Sequence, residues 1–255
     1  MSKELFSLII TCLLIINCSN PVNNNNPPVM LYSLSHPLFP AVVGNYWEYK
    51  LYTFKFENWD SSWTYKDINS FGFNMDSLTN FNSYVRREVV DSLFITLNDT
   101  IYQCYVFDTY DYRTNEYRGF YYPYWIGEDG VYEMGIFNLS DSLFHKGLRI
   151  PSKISLYDIW KGQLSYRLDT SFKTSFLDEI CLSKSEIIQT PIGKVSCYVI
   201  KARMQVAEDV AGYYDFYYYY TPNIGLVCKI RLYVMGDEKM WALDYISMIQ
   251  GYSIK

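Results

Sequence analysis

Residues 213–234 read YYDFYYYYTPNIGLVCKIRLYV, which is two strand patterns separated by a turn. Aromatic side chains, which favour extended structure, fill the first half from Tyr213 to Tyr220. The letters TPNIG that follow combine Pro, Asn and Gly, which are residues of tight turns. Beyond the turn, apolar residues occupy every second position: Leu226, Cys228, Ile230, Leu232 and Val234. Lys229 and Arg231 lie between them, so the stretch predicts an antiparallel hairpin with one apolar face and one charged face.

The same period of two recurs along most of the chain. Residues 84–97 and 100–112 flank Asn98-Asp99, and residues 180–189 and 194–205 flank the turn TPIG, so each pair predicts a hairpin. Further strands are predicted at residues 45–56, 130–138, 165–176 and 240–249. The best helix candidate, residues 152–160, fits a loop equally well. Short connections favour antiparallel pairing, so we expect an all-β fold with little helix, either a strongly curved antiparallel sheet (half-barrel) or a β-sandwich.

The N-terminus predicts export. Lys3 precedes an apolar run over residues 5–16, which is shorter than the roughly 20 residues of a membrane-spanning helix and has the length of a signal-peptide core. The run ends in LIINC at residues 14–18, which resembles the lipobox of bacterial lipoproteins. The resemblance implies that Cys18 is acylated, becomes the first mature residue and anchors the protein in the cell envelope, on the outer membrane or the periplasmic face. The alternatives are an ordinary secretory signal and an uncleaved anchor.

Composition indicates how the mature chain is organised. With residues 1–17 removed as a signal peptide, residues 18–30 form a flexible tether, because this stretch of Asn and Pro has almost nothing to bury. Residues 31–255 then form a single β-rich domain, with a subdivision near residue 150 as the alternative. The formal net charge is −5 and no basic run is present, so nucleic acid is not an expected partner and the acyl group must supply the membrane affinity.

Three segments resemble signatures of a loose group of uncharacterised bacterial lipoproteins. They read FPAVVGNYWEY at residues 39–49, TPIGKVSCY at residues 190–198 and YYYYTPNIGLV at residues 217–227. The group's typical forms are P-x-x-x-G-N-x-W-x-Y, T-P-x-G-x-F/V and Y-Y-A-P-x-V-G-L-V, so Thr221 here replaces Ala and Ile224 replaces Val. The resemblance implies a curved antiparallel sheet similar to the half-barrels of LolA/LolB-type lipoprotein carriers, and it implies no activity.

Four cysteines follow the anchor: Cys104, Cys181, Cys197 and Cys228. No C-x-x-C spacing occurs among them, which argues against a metal site or a redox motif. Cys197 and Cys228 both lie on apolar strand faces, so a disulfide between them is one alternative in an exported protein. We favour the other, in which all four are free thiols in the core.

The remaining polar candidates predict no catalytic centre. His36 and His145 have no carboxylate or thiol at ligand spacing, so we expect both at the surface and predict neither a metal nor a cofactor. The carboxylate pairs Asp178-Glu179 and Glu208-Asp209 are expected to be solvated charges at strand ends. No nucleophile motif is present, and we expect the protein not to be an enzyme.

Aromatic residues make up 19% of the chain, and residues 118–125 and 213–220 carry them on both faces, so some must be exposed unless both faces are covered. Trp59 and Trp63 lie in a segment expected to be a hairpin tip, where rings are hard to bury, so they are the leading candidates for ligand binding. The first hypothesis is therefore a non-enzymatic binding or scaffold module for an apolar ligand or a glycan. The alternatives are a structural partner of other envelope proteins and, last, a hydrolase acting on envelope polymers.

Overall fold

The computed structural model of the chain describes residues 28–53, 81–111, 116–138, 140–168, 171–205, 212–235 and 240–255. Cys18, Trp59 and Trp63 lie outside these residues. Strands run through all of the described ranges, and none of the described residues lies in a helix. The strands are β1 (Val29–Leu31), β2 (Tyr46–Thr53), β3 (Phe81–Leu97), β4 (Thr100–Asp111), β5 (Glu116–Gly127), β6 (Gly130–Phe137), β7 (Ser142–Pro151), β8 (Ile159–Leu168), β9 (Ser171–Thr190), β10 (Gly193–Gln205), β11 (Gly212–Thr221), β12 (Gly225–Met235) and β13 (Met240–Ser253).

In the part of the chain that the structure describes, no helix is long and apolar enough to cross a membrane.

One antiparallel sheet contains the strands in the order β7-β6-β5-β4-β3-β2-β13-β12-β11-β10-β9-β8, and β1 adds to β4 in parallel. Neighbours along the chain are neighbours in the sheet, except where β13 pairs with β2 and so joins the two halves. The sheet curves until its two ends meet, which nearly closes it into a barrel. The prediction of an all-β, strongly curved antiparallel sheet is confirmed.

Two glycines lie where the ends of the sheet approach each other. A Cβ on Gly147 of β7 would come within 2.4 Å of the Gln163 Cβ on β8, and a Cβ on Gly162 of β8 would lie 3.2 Å from the Leu148 carbonyl oxygen on β7. Real Cβ atoms do not approach other heavy atoms to 2.4 Å, and a contact of 3.2 Å is tighter than most, so the absence of a Cβ at both positions permits the two strands to come together.

The predicted turns connect the strands as expected at three hairpins. Asn98 and Asp99 join β3 to β4 with φ angles of 47° and 60°, a left-handed pair that matches the right-handed twist of the flanking strands. The turns at residues 190–193 and 221–225 join β9 to β10 and β11 to β12. Asn, Asp and Gly tolerate the left-handed conformation that such turns need, and for this reason their positions in the sequence predict the turns.

Several elements differ from the sequence-based expectations. The pattern at residues 165–176 belongs to two strands, β8 and β9, and residues 152–158 form turns without a helix. The sequence patterns do not predict strands β5 and β7. β1 begins at Val29, two residues before the predicted start of the domain. The neighbouring strand β6 is buried on nearly every residue, so alternation, the usual strand signal, is weak in this part of the sheet.

The buried residues form two clusters. The main cluster joins both halves of the sheet and is fastened by two long-range hydrogen bonds: Trp47 Nε1 donates to the Ile224 carbonyl at 2.5 Å and the Tyr49 hydroxyl donates to the Leu226 carbonyl at 2.8 Å. The second cluster lies between the far end of the β3–β4 hairpin and strands β5 and β6. Its members are Leu93, Ile95, Tyr102, Cys104, Val106, Tyr121, Trp125, Met134 and Phe137.

Candidate binding site

Charged side chains from opposite ends of the sheet meet inside the barrel. Arg149 of β7 lies 3.6 Å from Glu179 of β9, measured from Nη2 to Oε1, and its guanidinium carbon is 5.6 Å from the ring centre of Tyr218 on β11. Strands β7 and β11 are far apart in the sheet order, so this contact crosses the interior. Arg149 and Glu179 are 8% and 1% exposed, which makes the pair part of the core.

Two buried carboxylates line this interior. Glu133 of β6 is fully buried and accepts the Ser165 backbone N–H of β8 at 2.5 Å and the Tyr124 hydroxyl at 3.4 Å. Glu179 accepts the Trp160 indole N–H at 2.6 Å. Burial raises the pKa of Glu133 and raises the pKa of Glu179 to about 7, although Arg149 opposes the shift in both. The two carboxylates therefore hold protons more readily than exposed glutamates.

The cations of the interior are incompletely paired. Nη1 of Arg149 is buried, and none of the described residues offers it a hydrogen bond. Lys229 pairs with Tyr218 across β11 and β12, so the two share a face, and its Nζ lies 5.0 to 5.5 Å from the ring centres of Phe216, Tyr218 and Tyr245. Burial, with the nearby arginines, lowers the pKa of Lys229 to about 7. Among the described residues, no carboxylate lies within ion-pair distance of Lys229.

The orientation of β12 corrects a natural reading of its sequence. Alternation suggests that Lys229 and Arg231 face solvent while Cys228 and Ile230 face the core. In the structure Cys228 and Ile230 are fully buried, but the lysine and arginine face the aromatic interior, with Arg231 4.9 Å from the Tyr214 ring centre. Aromatic faces attract cations, so this strand can bury its charged side as well as its apolar side.

A second arginine lines a small cleft. Arg87 of β3 lies there together with Phe39, Pro40, Trp47, Tyr49, Phe107, Gly225 and Leu226, and the cleft has room for about one water molecule. The guanidinium carbon is 4.5 Å from the ring centre of Phe107 and 5.3 Å from that of Tyr124, to whose hydroxyl it is hydrogen-bonded. No carboxylate lies within ion-pair distance of Arg87 in the described parts of the chain.

The four cysteines lie where the favoured interpretation, free thiols in the core, expects them. Cys104, Cys181, Cys197 and Cys228 are all buried free thiols, and Cys197 shares a hydrogen bond of 3.3 Å with the Thr221 hydroxyl. Cys197 lies on β10 and Cys228 on β12, with β11 between them. Strands two positions apart are separated by roughly 9 to 10 Å, beyond the Cα–Cα reach of a disulfide. The predicted alternative of a Cys197–Cys228 bridge therefore does not fit this sheet order.

The histidines and one acidic pair also differ from expectation. His36 is 6% exposed and holds the entry loop, because its Nδ1 accepts the Leu38 N–H at 3.2 Å and its Nε2 contacts the Pro151 carbonyl at 3.3 Å. His145 is half-buried against Ser165. Asp178 is solvated as predicted, whereas Glu179 is in the interior, because adjacent residues of a strand point to opposite faces. Glu208-Asp209 lies outside the described residues.

No pattern in the sequence brings the residues of the interior cluster together. They are scattered over strands β3, β5, β6, β7, β9, β11 and β12, and only Tyr218 belongs to one of the quoted motifs: Arg87, Tyr124, Glu133, Arg149, Glu179, Tyr218 and Lys229. One feature of the sequence could have indicated the cluster: a charged residue within a strand that is otherwise apolar or aromatic, such as Glu133 in the strand Gly130–Phe137. Among the described residues, no group of three His, Cys, Asp or Glu could hold a metal ion.

No family model matches the chain, and no curated protein matches it. Two solved structures are similar. One is a candidate exported protein with a YmcC-like fold from Bacteroides fragilis NCTC 9343, at 12% identity and a TM-score of 0.48, covering 86% of this chain and 99% of that one. The other is a candidate lipoprotein from Parabacteroides distasonis ATCC 8503, at 13% identity and a TM-score of 0.47, covering 87% of this chain and 100% of that one. At these values the similarities assign neither a family nor an activity.

Proposed function

We propose that the protein is a lipid-anchored binding protein of the bacterial cell envelope, which holds a polar ligand inside its curved sheet without transforming it. The anchor is supported by the signal-peptide core and by Cys18 at the end of the LIINC segment. The observation that carries the binding proposal is the interior cluster, in which Arg149 and Glu179 are buried, Lys229 lies over aromatic rings, and Nη1 of Arg149 has no hydrogen-bond partner among the described residues. Such a lining costs stability unless a ligand or water completes its hydrogen bonds.

The chemistry of the lining favours a glycan over a fully apolar ligand. Glu133 and Arg149 are already buried, and an acyl chain lying against them would offer their polar atoms no hydrogen bond. A sugar presents hydroxyl groups to these charges and an apolar ring face to Tyr218 and Tyr220. Glycan binding therefore uses both kinds of side chain that the interior offers.

A matched pair of tyrosines tests this proposal. Tyr218 faces the interior and Tyr217 faces the opposite side of the same strand, and they are 4% and 2% exposed. We expect Tyr218→Leu to weaken oligosaccharide binding by about tenfold, since stacking is worth about 1 kcal/mol or more, whereas Tyr217→Leu costs similar stability and leaves affinity unchanged. Titration calorimetry of the detergent-solubilised protein with a panel of envelope oligosaccharides measures both.

The outcomes separate the competing functions. Equal losses in both variants, or no binding at all, would overturn the proposal. Cleavage of a bound oligosaccharide that disappears in Glu179→Gln would show instead that the protein is a hydrolase.

One observation favours a protein partner as a second candidate. Ile159, Phe176 and Ile187, on strands β8 and β9, are 73%, 75% and 70% exposed. Exposed apolar side chains of this size are typical of contact surfaces. Co-purification of one stoichiometric envelope protein with the full-length chain, lost when Phe176 is changed to Ser, would establish this role.

A further inference from the structure

β1 and the end of the β3–β4 hairpin form a corner of the sheet that has two different faces. Leu31 of β1 pairs with Tyr102 of β4, which pairs in turn with Ile95 of β3. These side chains pack on the second cluster, so this face of the corner is covered. Met30 pairs with Ile101 and lies on the other face, because adjacent residues of a strand point to opposite sides. We call this second side the corner face.

The corner face exposes large apolar side chains. Phe94 of β3 lies on it, between two buried residues of the same strand. The alternation continues beyond β1, where residues 31 and 33 are half-buried and the residues next to them are exposed. Four side chains are thereby 45% to 60% exposed: Met30, Tyr32, Leu34 and Phe94. Exposed apolar groups gathered in this way mark a contact surface.

The corner face carries no charged side chain where β3 and β4 pair. Its positions there are Ser92, Phe94, Thr96, Ile101, Gln103 and Tyr105. The whole chain has a formal net charge of −5, and the surface of a bacterial membrane is itself anionic. A face without acidic groups is therefore the kind of surface that such a protein can bring to anionic lipid without repulsion.

The length of the N-terminal chain limits how far this corner can lie from the membrane. Cys18 and Val29, the first residue of β1, are eleven positions apart. Even fully extended, a chain of that length spans at most roughly 40 Å. An acylated Cys18 therefore holds β1, and with it the corner face, near the bilayer surface.

We infer that the corner face rests on the lipid surface in which Cys18 is anchored. This inference rests on the anchor in the proposed function and adds the partner that the folded domain itself contacts. Tyr32 suits the boundary between headgroups and acyl chains, because its ring meets hydrocarbon while its hydroxyl stays in water. Met30, Leu34 and Phe94 bury their apolar surface at the same boundary.

The test measures the surroundings of a nitroxide spin label on the full-length protein in vesicles of phosphatidylethanolamine and phosphatidylglycerol. The four cysteines of the described strands are buried, so a cysteine introduced at the surface takes the label. Phe94→Cys and Met30→Cys place it on the corner face. Phe176→Cys is the control, because this exposed residue lies on β9, six strands from β3 in either direction around the nearly closed sheet.

Two collision partners distinguish lipid from water around each label. Oxygen concentrates among acyl chains, whereas a charged nickel complex stays in water. We expect the labels at residues 94 and 30 to collide several-fold more often with oxygen, and several-fold less often with the nickel complex, than the label at residue 176. If Phe94→Cys does not fold, Met30→Cys decides the question by the same comparison.

Flotation of the same vesicles separates this inference from the anchor. A protein that floats with the vesicles while all three labels are equally accessible would overturn the lipid contact and leave the anchor standing. Labels on the corner face that are shielded from both oxygen and nickel would also overturn it, since a protein surface, from a second copy or another segment of the chain, would then cover the face. A protein that does not float would overturn the anchor and the inference together.

Discussion

Arg149 and Glu179 form the buried ion pair of this interior. They belong to strands β7 and β9, are almost fully buried, and make their closest polar approach at 3.6 Å. Nη1 of Arg149 has no hydrogen-bond partner among the described residues, and the Trp160 indole N–H donates to Oε2 of Glu179. A buried pair of this geometry contributes little net stability, which is consistent with the proposed role of the interior in binding.

The pKa of Glu179 gives the first prediction. Its folded value of about 7 lies above the unfolded 4.5, so the folded state binds the proton more tightly. The stabilisation from this group is complete below pH 4.5 and is lost as the pH rises through 7. The free energy of unfolding of the wild type, measured against Glu179→Gln, should therefore fall by up to about 3 kcal/mol between pH 4.5 and 8.

Urea denaturation at several pH values measures this difference. The comparison with Glu179→Gln cancels the opposite contribution of Lys229, whose lowered pKa makes stability rise between pH 7 and 10. Parallel curves for the two proteins would show that Glu179 ionises at its ordinary pH and that the interior is wetter than the structure indicates.

At the scale of elements, the hairpins follow from local sequence, and β3–β4 is the clearest case. Asn98 and Asp99 adopt left-handed φ angles, which cost most residues about 1 to 2 kcal/mol and cost Gly almost nothing.

We expect Asp99→Gly to raise the free energy of unfolding by about 0.5 kcal/mol and Asp99→Val to lower it by about 1 to 2 kcal/mol. Thr96→Val, at an exposed strand position before the turn, is the control and should change stability little. Thermal unfolding monitored by circular dichroism measures all three. A turn that tolerates Val at residue 99 would not have the geometry described.

The same scale shows what sequence could and could not predict. Turn residues predicted the hairpins around Asn98, Pro191 and Gly225, because the conformation of a turn depends on a few consecutive residues. Residues 121–127 of β5 are buried at nearly every position, so alternation does not identify that strand, and β12 turns Lys229 inward, so alternation does not show which of its faces is inside. Which face of a strand is inside depends on the closure of the sheet, and no short window of sequence contains that information.

At the scale of the whole molecule, closure depends on the approach of β7 and β8. This approach brings Glu133 to Ser165 and Arg149 to Glu179, and so the interior cluster exists only when the ends of the sheet meet. Because Gly147 permits this contact, its replacement by a residue with a side chain should push β7 away from β8.

Gly147→Ala is expected to lower the free energy of unfolding by about 2 kcal/mol or more, since its Cβ would lie 2.4 Å from the Gln163 Cβ. Gly251→Ala is the control, because a Cβ there meets only the Glu48 carboxylate at 3.6 Å. Guanidinium denaturation measures the free energy of unfolding of both variants. Equal losses would mean that β7 and β8 are not closely packed against each other.

The most direct test of the central claim is native mass spectrometry of the full-length protein, extracted from its own membrane in mild detergent. The account predicts an acylated chain beginning at Cys18 with a discrete non-covalent ligand, which is absent from Tyr218→Leu and retained by Tyr217→Leu. An acylated chain without any ligand, and without saturable binding of added glycans, would contradict the claim that the interior is a binding site.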